Sequence, residues 1–389
     1  MSDTRLLALR YPNRRLAVRL PEIWDRGEAA LLINPLLPPA EVDRLLEQLR
    51  PHAIEDGAGV TELAGGVAVD DRVAVVLLTS GASGTPKGVE LSHAALQASA
   101  LAYASRLGTR PGQRWLCCLP LTHIGGLGIL VRSRLAGTEP VIHDHFDVTA
   151  VAAENETTLI SLVPTTLIRL LDEQADLSRY SAVLVGGAGL SPEIAERGRA
   201  AGVNLVRTYG MTETCGACNF DGMPLDGIEI KVVEEQILVR GPTLMDGYRL
   251  QPDLTAEAIS SGWLHTADRG RIGPEGKLEV LGRTDDMILT GGELVSATEV
   301  EEILQKHPLL ADAAVAGIAD YRWGQAVAAL VVPAGGAAPT LRELKSFVSQ
   351  HTAGYKAPKS ILIASQVPRT ESGKVRRQAV RDLLEDSSG

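Results

Sequence analysis

One segment of the chain reads Thr79-Ser80-Gly81-Ala82-Ser83-Gly84-Thr85-Pro86-Lys87-Gly88. It follows an apolar run, Val73 to Leu78, that predicts a buried strand, and it precedes an Ala-rich run, Ser92 to Arg106, that predicts a helix behind a serine cap. Its hydroxyl groups, its glycines and its one lysine together suit a polyphosphate. It is not a Walker A loop, because Pro86 and Gly88 flank the lysine where that loop needs Gly and then Ser or Thr. Taken alone, such a string is as often a plain surface loop.

Strand-like and helical runs alternate beyond this segment. Short apolar strands are predicted at Leu159 to Val163, Ala182 to Val185 and Asn204 to Arg207. Helical runs at Thr165 to Glu173 and Pro192 to Ala200 separate them. This alternation predicts α/β layers whose strands are mostly parallel.

The pattern changes from about Ile228, where short strands with Gly turns predict a smaller β-rich subdomain. A stretch rich in Gly, Asp and Thr, Gly282 to Glu293, breaks the composition, and a compact α+β unit is predicted beyond it. Its elements are a helix at Ser296 to Lys306, strands at Ala313 to Ile318 and Ala326 to Val332, a helix at Thr340 to His351 and a strand at Ser360 to Ala364. The predicted class is therefore α/β, with an N-terminal domain of layered α/β subdomains plus a β-rich subdomain and a small α+β C-terminal domain.

Composition excludes several classes of function. The 389 residues include 48 acidic and 38 basic side chains, giving a formal net charge of −10, so general attraction to nucleic acid or an anionic membrane is not expected. No apolar run approaches the roughly 18 residues of a membrane span, and the first twenty residues lack the apolar core of a secretory signal. With only four cysteines as well, we expect a cytoplasmic protein.

The cysteines leave two interpretations. Cys215 and Cys218, with Cys117 and Cys118, could supply the four thiolates of a structural zinc site. Adjacent cysteines on an extended segment point to opposite faces, which makes a shared metal awkward. Small apolar residues near a pocket are the preferred interpretation.

The phosphate segment resembles the signature loop of the adenylate-forming superfamily, which holds acyl- and aryl-CoA ligases, luciferases and the adenylation domains of peptide synthetases. Further segments match that family in the same order: Tyr209-Gly210-Met211-Thr212-Glu213-Thr214, Trp263-Leu264-His265-Thr266-Ala267-Asp268 with Ala267 where glycine is usual, Gly282-Arg283-Thr284-Asp285-Asp286, and Pro368-Arg369-Thr370-Glu371-Ser372-Gly373-Lys374. The chain is identified as a member of this family over about residues 75 to 380.

The resemblance implies an N-terminal AMP-binding domain, residues 1–283, and a mobile C-terminal lid domain, residues 284–389, with the hinge at Asp285. It also implies where ATP binds. Phosphate contacts are expected from Thr79, Ser80, Gly81, Thr85 and Lys87, with Thr212 near the α-phosphate; adenine contacts from Tyr209, Gly210 and the backbone of Gly187, Ala188 and Gly189; and ribose contacts from Asp268 and Arg283.

The chemistry implied by the resemblance needs positive charge. A carboxylate must attack the α-phosphorus of ATP, and bringing two anions together costs on the order of 4 kcal/mol at an effective dielectric constant of about 20. The resemblance assigns that charge to Lys374 and to Mg²⁺ held by Glu213. Each of these side chains, taken alone, would be an ordinary solvated surface charge.

A second step, thioester formation with coenzyme A, is also implied. The lid would rotate about Asp285, and Gly291 and Gly292 would then line the channel for the thiol arm. His123 matches the family's gating position between the two steps, although a core histidine is the alternative.

The acid is indicated by a compact N-terminal part and by Arg132. About 78 residues precede the phosphate segment. This short N-terminal part resembles that of the family members that activate o-succinylbenzoate for menaquinone biosynthesis. That acid has a second carboxylate, and an arginine suits it because the guanidinium pairs with a carboxylate through two hydrogen bonds. Arg132 matches the substrate-binding arginine of those members; judged without the family, it could be a surface arginine.

Other functions stay open at this point. The alternatives are a CoA ligase for another aryl or acyl acid, a module that loads a carrier protein, and a catalytically silent nucleotide-binding protein. The expected partners are a small carboxylic acid, ATP and CoA, with no nucleic acid and no membrane span. The sequence is compatible with a homo-oligomer.

Overall fold

The computed structural model describes residues 3–80, 86–290, 293–321, 323–335, 338–370 and 373–387. The chain forms two compact units. The first comprises Met1–Lys231 and Leu238–His265, and the second comprises Val232–Ile237 and Thr266–Gly389. The predicted boundary between residues 283 and 284 marks a hinge about which a domain would move, and it stays a prediction.

The strands of the described residues are mostly short. In chain order they are β1 (Asp3–Thr4), β2 (Leu6–Leu9), β3 (Ala29–Leu32), β4 (Ala53–Asp56), β5 (Gly59–Glu62), β6 (Val69–Asp70), β7 (Val73–Ser80), β8 (Pro86–Ser92), β9 (Trp115–Cys117), β10 (Val141–Ile142), β11 (Leu159–Leu162), β12 (Ala182–Val185), β13 (Leu205–Met211), β14 (Gly216–Phe220), β15 (Met223–Pro224), β16 (Glu229–Val233), β17 (Gln236–Arg240), β18 (Gly247–Tyr248), β19 (Ile259–Ser260), β20 (Trp263–Ile272), β21 (Leu278–Arg283), β22 (Met287–Thr290), β23 (Glu293–Ser296), β24 (Leu310–Asp320), β25 (Gly324–Pro333) and β26 (Ser360–Ile363).

The helices of the same residues are α1 (Asn13–Asp25), α2 (Pro39–Leu49), α3 (His93–Leu107), α4 (Ile124–Leu135), α5 (Val148–Ala153), α6 (Pro164–Asp172), α7 (Pro192–Ala200), α8 (Pro252–Ala258), α9 (Ala297–Leu304), α10 (Leu341–His351) and α11 (Arg377–Asp386). Single 3₁₀ turns lie at Thr212–Thr214, Pro274–Gly276, Thr284–Asp286 and Gly354–Lys356. Helix α3 begins as predicted, because the Ser92 hydroxyl accepts a hydrogen bond from the Ala95 N–H.

Two seven-stranded sheets form the layers of the first unit. One has the order β5-β4-β2-β3-β7-β8-β18, and the other has the order β10-β9-β11-β12-β13-β14-β15. Their central strands are parallel, whereas β5, β8, β14 and β15 pair antiparallel with their neighbours. The parallel strands β2 and β3 are wholly buried, as expected when both faces of a sheet are covered.

The second unit has a sheet of the order β23-β22-β25-β24, with β26 parallel to β25. Alternation along β24 separates its two faces. Ala313 and Val315 pack with helices α9 and α10, while Ala314 and Ala316 pack with helix α11. In the same unit, β20 pairs antiparallel with β21 from Asp268 opposite Arg283 onward.

The structure corrects some element predictions. The end of the phosphate segment lies in strand β8, and the rest of that strand separates the segment from helix α3. The break at Gly282 to Glu293 contains strand β22. Helix α11, which covers one face of the C-terminal sheet, is absent from the sequence prediction. Among the helices described, none is both long enough and apolar enough to cross a membrane.

Candidate active site

The predicted phosphate segment belongs to the hairpin of β7 and β8. Thr79 stands opposite Lys87 in the antiparallel register, so both side chains lie close to the connection between the two strands. The Lys87 ammonium lies 5.0 Å from the centre of the Tyr248 ring. Three predicted phosphate contacts, Gly81, Thr85 and the side chain of Ser80, lie outside the described residues.

The predicted adenine and magnesium motif leads from the end of β13 into the turn Thr212–Thr214. Strands β13 and β14 approach closely here, and a Cβ at Gly210 would overlap the carbonyl oxygen of Gly216. Glycine is therefore required at position 210. Residues 209 to 213 of the motif are half-buried and keep part of their surface accessible, whereas Thr214 is buried.

Tyr248 is a contact of Glu213 that the motifs do not reveal. Its hydroxyl donates a hydrogen bond to Glu213 Oε1 at 3.0 Å, and the Met245 N–H donates to the Glu213 carbonyl at 2.9 Å. The segment that follows Met245 therefore fixes both the backbone and the carboxylate of Glu213. The only sequence signal is a Gly-Tyr pair shortly before Pro252, which is too common to mark a site.

The residues around Glu213 fit magnesium bound together with ATP. Magnesium in nucleotide sites takes one or two carboxylates, and substrate phosphates and water supply the remaining ligands. Glu213 offers one such carboxylate beside the Thr212 hydroxyl in the same turn. Within the described ranges no three His, Cys, Asp or Glu side chains gather as a metal cage, so an ion shared with phosphate oxygens is the kind that suits Glu213.

The predicted adenine-edge segment, Gly187-Ala188-Gly189, follows strand β12 and is exposed. Gly187 has a φ of +81°, in the left-handed region that glycine adopts without strain. Its backbone groups are therefore accessible to a ligand, as the prediction requires.

Helix α4 carries two predicted site residues of the first unit. His123 is its N-cap, with extended backbone and a half-buried side chain. Arg132 lies in the last turn of the helix, and only 8% of its surface is exposed. The surface alternative for Arg132 is therefore wrong.

The Arg132 guanidinium is enclosed by aromatic rings. Its Cζ lies 4.3 Å from the ring centre of Tyr103 and 4.5 Å from that of Trp115. A Cβ at Gly128, one turn earlier in α4, would stand 2.9 Å from Arg132 Nη1, so the absent side chain leaves room for the guanidinium. Burial lowers the pKa of Arg132, and among the described residues Tyr103 and Cys117 are the groups that oppose this shift. Sequence reasoning missed Tyr103, Trp115 and Gly128, although the four-residue spacing of Gly128 and Arg132 on a helix was available.

The predicted ribose contacts are neighbours in the second unit. Asp268 and Arg283 stand opposite each other on β20 and β21, with Arg283 Nη1 3.7 Å from Asp268 Oδ1. The Asp268 N–H donates to the Thr266 hydroxyl at 3.1 Å, and that hydroxyl donates to the Ile237 carbonyl at 2.7 Å. The backbone at Asp268 is thus held rigidly, and the unusual Ala267 points outward and is exposed.

Lys374, in the second unit, is hydrogen-bonded to Thr370. The Thr370 N–H donates to the Lys374 carbonyl at 2.7 Å, and the Lys374 N–H donates to the Thr370 hydroxyl at 3.1 Å. The neighbouring Arg369 is held by an ion pair, because its guanidinium donates to both carboxylate oxygens of Asp312 on β24 at 2.8 and 2.9 Å. The Lys374 side chain is half-buried, on a backbone held by Thr370 and Arg369.

The predicted hinge adjoins a second ion-pair cluster. Asp285 lies in the turn Thr284–Asp286, and its side chain lies outside the described residues. The next residue, Asp286, accepts a hydrogen bond from Arg377 Nε at 3.1 Å. Gly291 and Gly292, predicted for the thiol channel, lie outside the described residues.

All four cysteines are buried as free thiols. Burial raises the pKa of Cys117 to about 12, and it raises the pKa of Cys118 and Cys215 further. Thiols in such surroundings stay protonated and inert. The zinc alternative lacks its gathered ligands among the residues described.

The comparisons with known proteins place the chain in a family. Residues 67–249 match the family model of AMP-binding enzymes, and residues 299–374 match that of the AMP-binding enzyme C-terminal domain. The chain belongs to the AMP-binding enzyme family, and the predicted membership of the adenylate-forming enzymes is confirmed.

A more particular likeness is to 2-succinylbenzoate–CoA ligases. Over 332 residues the chain is 43% identical to a Mycobacterium tuberculosis protein named a probable 2-succinylbenzoate–CoA ligase, covering 81% of this chain and 85% of the relative. The structure of Bacillus subtilis o-succinylbenzoate CoA synthetase (MenE) with the acyl-adenylate OSB-AMP superposes with a TM-score of 0.89 at 29% identity, covering 98% of this chain and 89% of that one. The same enzyme with ATP and magnesium ion gives a TM-score of 0.87 at 28% identity, covering 98% and 90%.

These likenesses confirm the predicted α/β class, and the predicted class of enzyme, an AMP-forming acid–CoA ligase, agrees with them. The predicted site residues are distributed over both compact units. Those of the second unit are Asp268, Arg283 and Lys374, together with Asp285, Gly291 and Gly292. The remaining site residues belong to the first unit.

Proposed function

We propose that this chain joins o-succinylbenzoate to coenzyme A through an acyl-adenylate, with ATP converted to AMP and pyrophosphate. The observation that supports this substrate most directly is the burial of Arg132. In the described part of the chain no aspartate or glutamate accounts for its charge, and its Nε lacks a hydrogen-bond partner. A buried, unbalanced cation is costly unless a ligand supplies the anion.

The position of Arg132 on helix α4 suits a diacid. Side chains on a helix tilt toward its N-terminus, and the close approach to Gly128 shows that the guanidinium follows this rule. The guanidinium therefore lies at the level of Gly128, five residues after the N-cap His123. At a rise of 1.5 Å per residue, this places it about 7 Å along the helix axis from His123. A small aromatic acid with one carboxylate at each position spans such a distance. The second carboxylate would pair with Arg132 while the reacting one lies near His123.

In the first step, a carboxylate oxygen attacks the α-phosphorus of ATP and the bond to pyrophosphate breaks. Lys374 supplies positive charge to the two reacting anions, and Thr212 contacts the α-phosphate. Thr79 and Lys87, with the predicted contacts Ser80, Gly81 and Thr85, hold the phosphates that leave. Glu213 would hold magnesium, which when bound neutralises phosphate charge.

Nucleotide recognition is assigned to the remaining residues. Tyr209 stacks on adenine, and Gly210 lets the chain approach the ring closely. The exposed backbone of Gly187, Ala188 and Gly189 contacts the adenine edge. Asp268 accepts hydrogen bonds from the ribose hydroxyls while Arg283 supports it; the closeness of these two side chains favours this pairing.

In the second step, the thiol sulfur of CoA attacks the adenylate carbonyl carbon and AMP leaves. As the family resemblance implies, the C-terminal domain then rotates about Asp285, so that Lys374 withdraws and Gly291 and Gly292 face the thiol arm. His123 then gates the passage between the steps. We also propose that the protein is cytoplasmic.

The decisive experiment is exchange of labelled pyrophosphate into ATP, measured with a panel of acids in the presence and absence of CoA. We expect exchange with o-succinylbenzoate well above that with benzoate or acetate, and a CoA thioester as the product. Exchange with no acid would contradict the proposal and favour the silent nucleotide-binding protein. Exchange without a CoA thioester would favour the module that loads a carrier protein.

The role of Lys374 has its own test. Lys374→Ala should abolish adenylation but spare thioester formation from supplied o-succinylbenzoyl-AMP, since its charge serves only the first step. The matched control is Lys306→Ala, an exposed lysine after helix α9 of the same unit, which should leave both steps unchanged. Equal loss of both steps in Lys374→Ala would contradict the assigned role.

A further inference from the structure

Tyr248 contacts two residues to which the proposed function gives roles. Its hydroxyl donates to Glu213 Oε1 at 3.0 Å, and its ring centre lies 5.0 Å from the Lys87 ammonium. All three side chains belong to the first unit and are half-buried. One aromatic side chain thus connects the proposed magnesium carboxylate with the proposed phosphate-binding lysine.

The backbone at Tyr248 is held in place independently of these contacts. Strand β18 pairs antiparallel with β8, placing Tyr248 opposite Val89. The Tyr248 N–H donates to the Thr255 hydroxyl at 2.8 Å. A Cβ at the preceding Gly247 would stand 2.9 Å from the Thr255 side chain, so the two elements are in close contact. The backbone at Tyr248 is therefore held in place, and from this position its hydroxyl can orient the Glu213 carboxylate.

The chemistry of the contact favours a defined orientation of Glu213. A carboxylate has two oxygens, and a hydroxyl that donates to Oε1 fixes the rotation of the group while leaving Oε2 available to a cation. Such outer contacts set the direction of a metal ligand and typically change metal affinity 10–100-fold when lost. The ring face, in turn, attracts the Lys87 ammonium through its quadrupole.

We infer that Tyr248 is a positioning residue: its hydroxyl aims Glu213 at the magnesium ion of Mg·ATP, and its ring positions Lys87 for the phosphates. This inference rests on the proposed function for the roles of Glu213 and Lys87. Tyr248 itself is not assigned a contact with substrate.

The test is the affinity for ATP without acid, measured by calorimetry in EDTA and in saturating magnesium. Because no acid is present, the readout is independent of turnover. Magnesium should raise the affinity of the wild type for ATP. We expect this gain to be about ten-fold smaller in Tyr248→Phe, and at least that much smaller in Glu213→Gln. In EDTA, Tyr248→Phe should bind ATP like the wild type, because the ring beside Lys87 remains.

Two further variants separate the hydroxyl from the ring. Tyr248→Leu should lower ATP affinity in EDTA as well, because Lys87 loses its aromatic neighbour. Tyr11→Phe is the control outside the proposed site: the Tyr11 hydroxyl donates to the Asp56 carbonyl at 2.7 Å and to Glu55 Oε1 at 3.2 Å. It should leave both affinities unchanged. Thermal melting checks each variant, and should Tyr248→Leu not fold, the comparison of Tyr248→Phe with Tyr11→Phe decides.

The inference and the proposed function can fail separately. An unchanged magnesium effect in Tyr248→Phe, beside a reduced one in Glu213→Gln, overturns the role of Tyr248 and leaves the proposed function intact. An unchanged effect in both variants overturns the role of Tyr248 together with that of Glu213. A reduced effect in both supports the inference even if pyrophosphate exchange later identifies a different acid.

Discussion

The half-buried Arg377 and the buried Arg132 differ in which groups face their charge. Arg377, in the second unit, donates to Asp286 at 3.1 Å, to the Val315 carbonyl at 2.8 Å and to the buried carboxylate of Glu301. Arg132, in the first unit, faces aromatic rings instead. Carboxylates within the fold balance the charge of Arg377, whereas among the described residues no Asp or Glu balances that of Arg132.

The pKa shifts of the two guanidinium groups express this difference. Burial by itself lowers the pKa of Arg377, but the charges of Glu301 and Asp286 and their hydrogen bonds outweigh it and raise the pKa. Burial lowers the pKa of Arg132, and Tyr103 and Cys117 offset it only in part. A buried arginine with internal carboxylates is explained by structure alone, whereas one without them calls for an external anion. The proposed role of Arg132 in binding an anion rests on this contrast.

The largest effect is expected from Arg377→Met. The change removes one partner of a buried ion pair and leaves Glu301 and Asp286 uncompensated, which should lower the free energy of unfolding by about 3–5 kcal/mol. Urea denaturation, with hydrogen exchange of β24 and α9 to locate the loss, would measure it.

A double variant sharpens this first comparison. Replacing a buried pair by apolar side chains of similar size is often neutral, so Arg377→Met combined with Glu301→Leu should recover much of the lost stability. Recovery should be incomplete, because Asp286 still lacks its arginine partner in the double variant. If the single and double variants unfolded at the same urea concentration, the ion pair would not be the source of the effect.

The next effect concerns the acid. Arg132→Met should lower kcat/KM for o-succinylbenzoate on the order of 10²–10³-fold, the equivalent of about 3–4 kcal/mol for a buried carboxylate left without its partner. The KM for ATP should change little. Steady-state kinetics of CoA thioester formation, with acid and ATP varied in turn, separates the two constants.

The controls for this variant are chemical. Arg132→Lys should recover only part of the activity, because a lysine cannot form the paired hydrogen bonds of a guanidinium. An acid that lacks the second carboxylate should lose far less activity in Arg132→Met than the diacid does. Equal losses with both acids would remove Arg132 from the binding of the second carboxylate.

Local pattern was enough to predict much of the fold. The apolar run of β7, the serine cap of α3 and the periodicity of α7 are set by neighbours in sequence, and the structure has them where the pattern places them. Strand β8 was missed because Lys87 and Glu90 interrupt its apolar residues. Helix α11 was missed because only Val380 and Leu384 of its residues are buried.

Sequence motifs predicted which residues belong to the candidate site, but not which residues contact them. Resemblance gave the positions of Glu213, Asp268 and Lys374 without their surroundings. The rings that enclose Arg132 come from α3 and β9, and the hydroxyl on Glu213 comes from β18. These contacts join residues far apart in sequence, so periodicity and spacing carry no record of them. Tertiary packing alone brings them together.

A smaller effect is expected from Gly128→Ala. The added methyl group would stand 2.9 Å from Arg132 Nη1, and the flanking rings leave the guanidinium little freedom to retreat. We expect KM for the diacid to rise about ten-fold, or about 1.4 kcal/mol. The free energy of unfolding should not fall to the same extent, since Ala within a helix is more favourable than Gly by about 1 kcal/mol.

Gly198→Ala in helix α7, where a Cβ meets open space, is the control for helix propensity. A KM that does not move would show that the guanidinium can shift without loss of binding.

The smallest expected effect, on stability without ligand, tests the difference between Arg132 and Arg377 most directly. Arg132→Met should change the free energy of unfolding without ligand by no more than about 1 kcal/mol. The loss of two cation–π contacts, each about 0.5–2 kcal/mol, is offset because a buried cation no longer has to be desolvated. Adding o-succinylbenzoyl-AMP should raise the melting temperature of the wild type more than that of the variant, because a ligand stabilises the state that binds it. A loss of 3 kcal/mol or more without ligand, matching Arg377→Met, would mean that Arg132 is balanced within the fold after all, and the distinction between the two arginines would disappear.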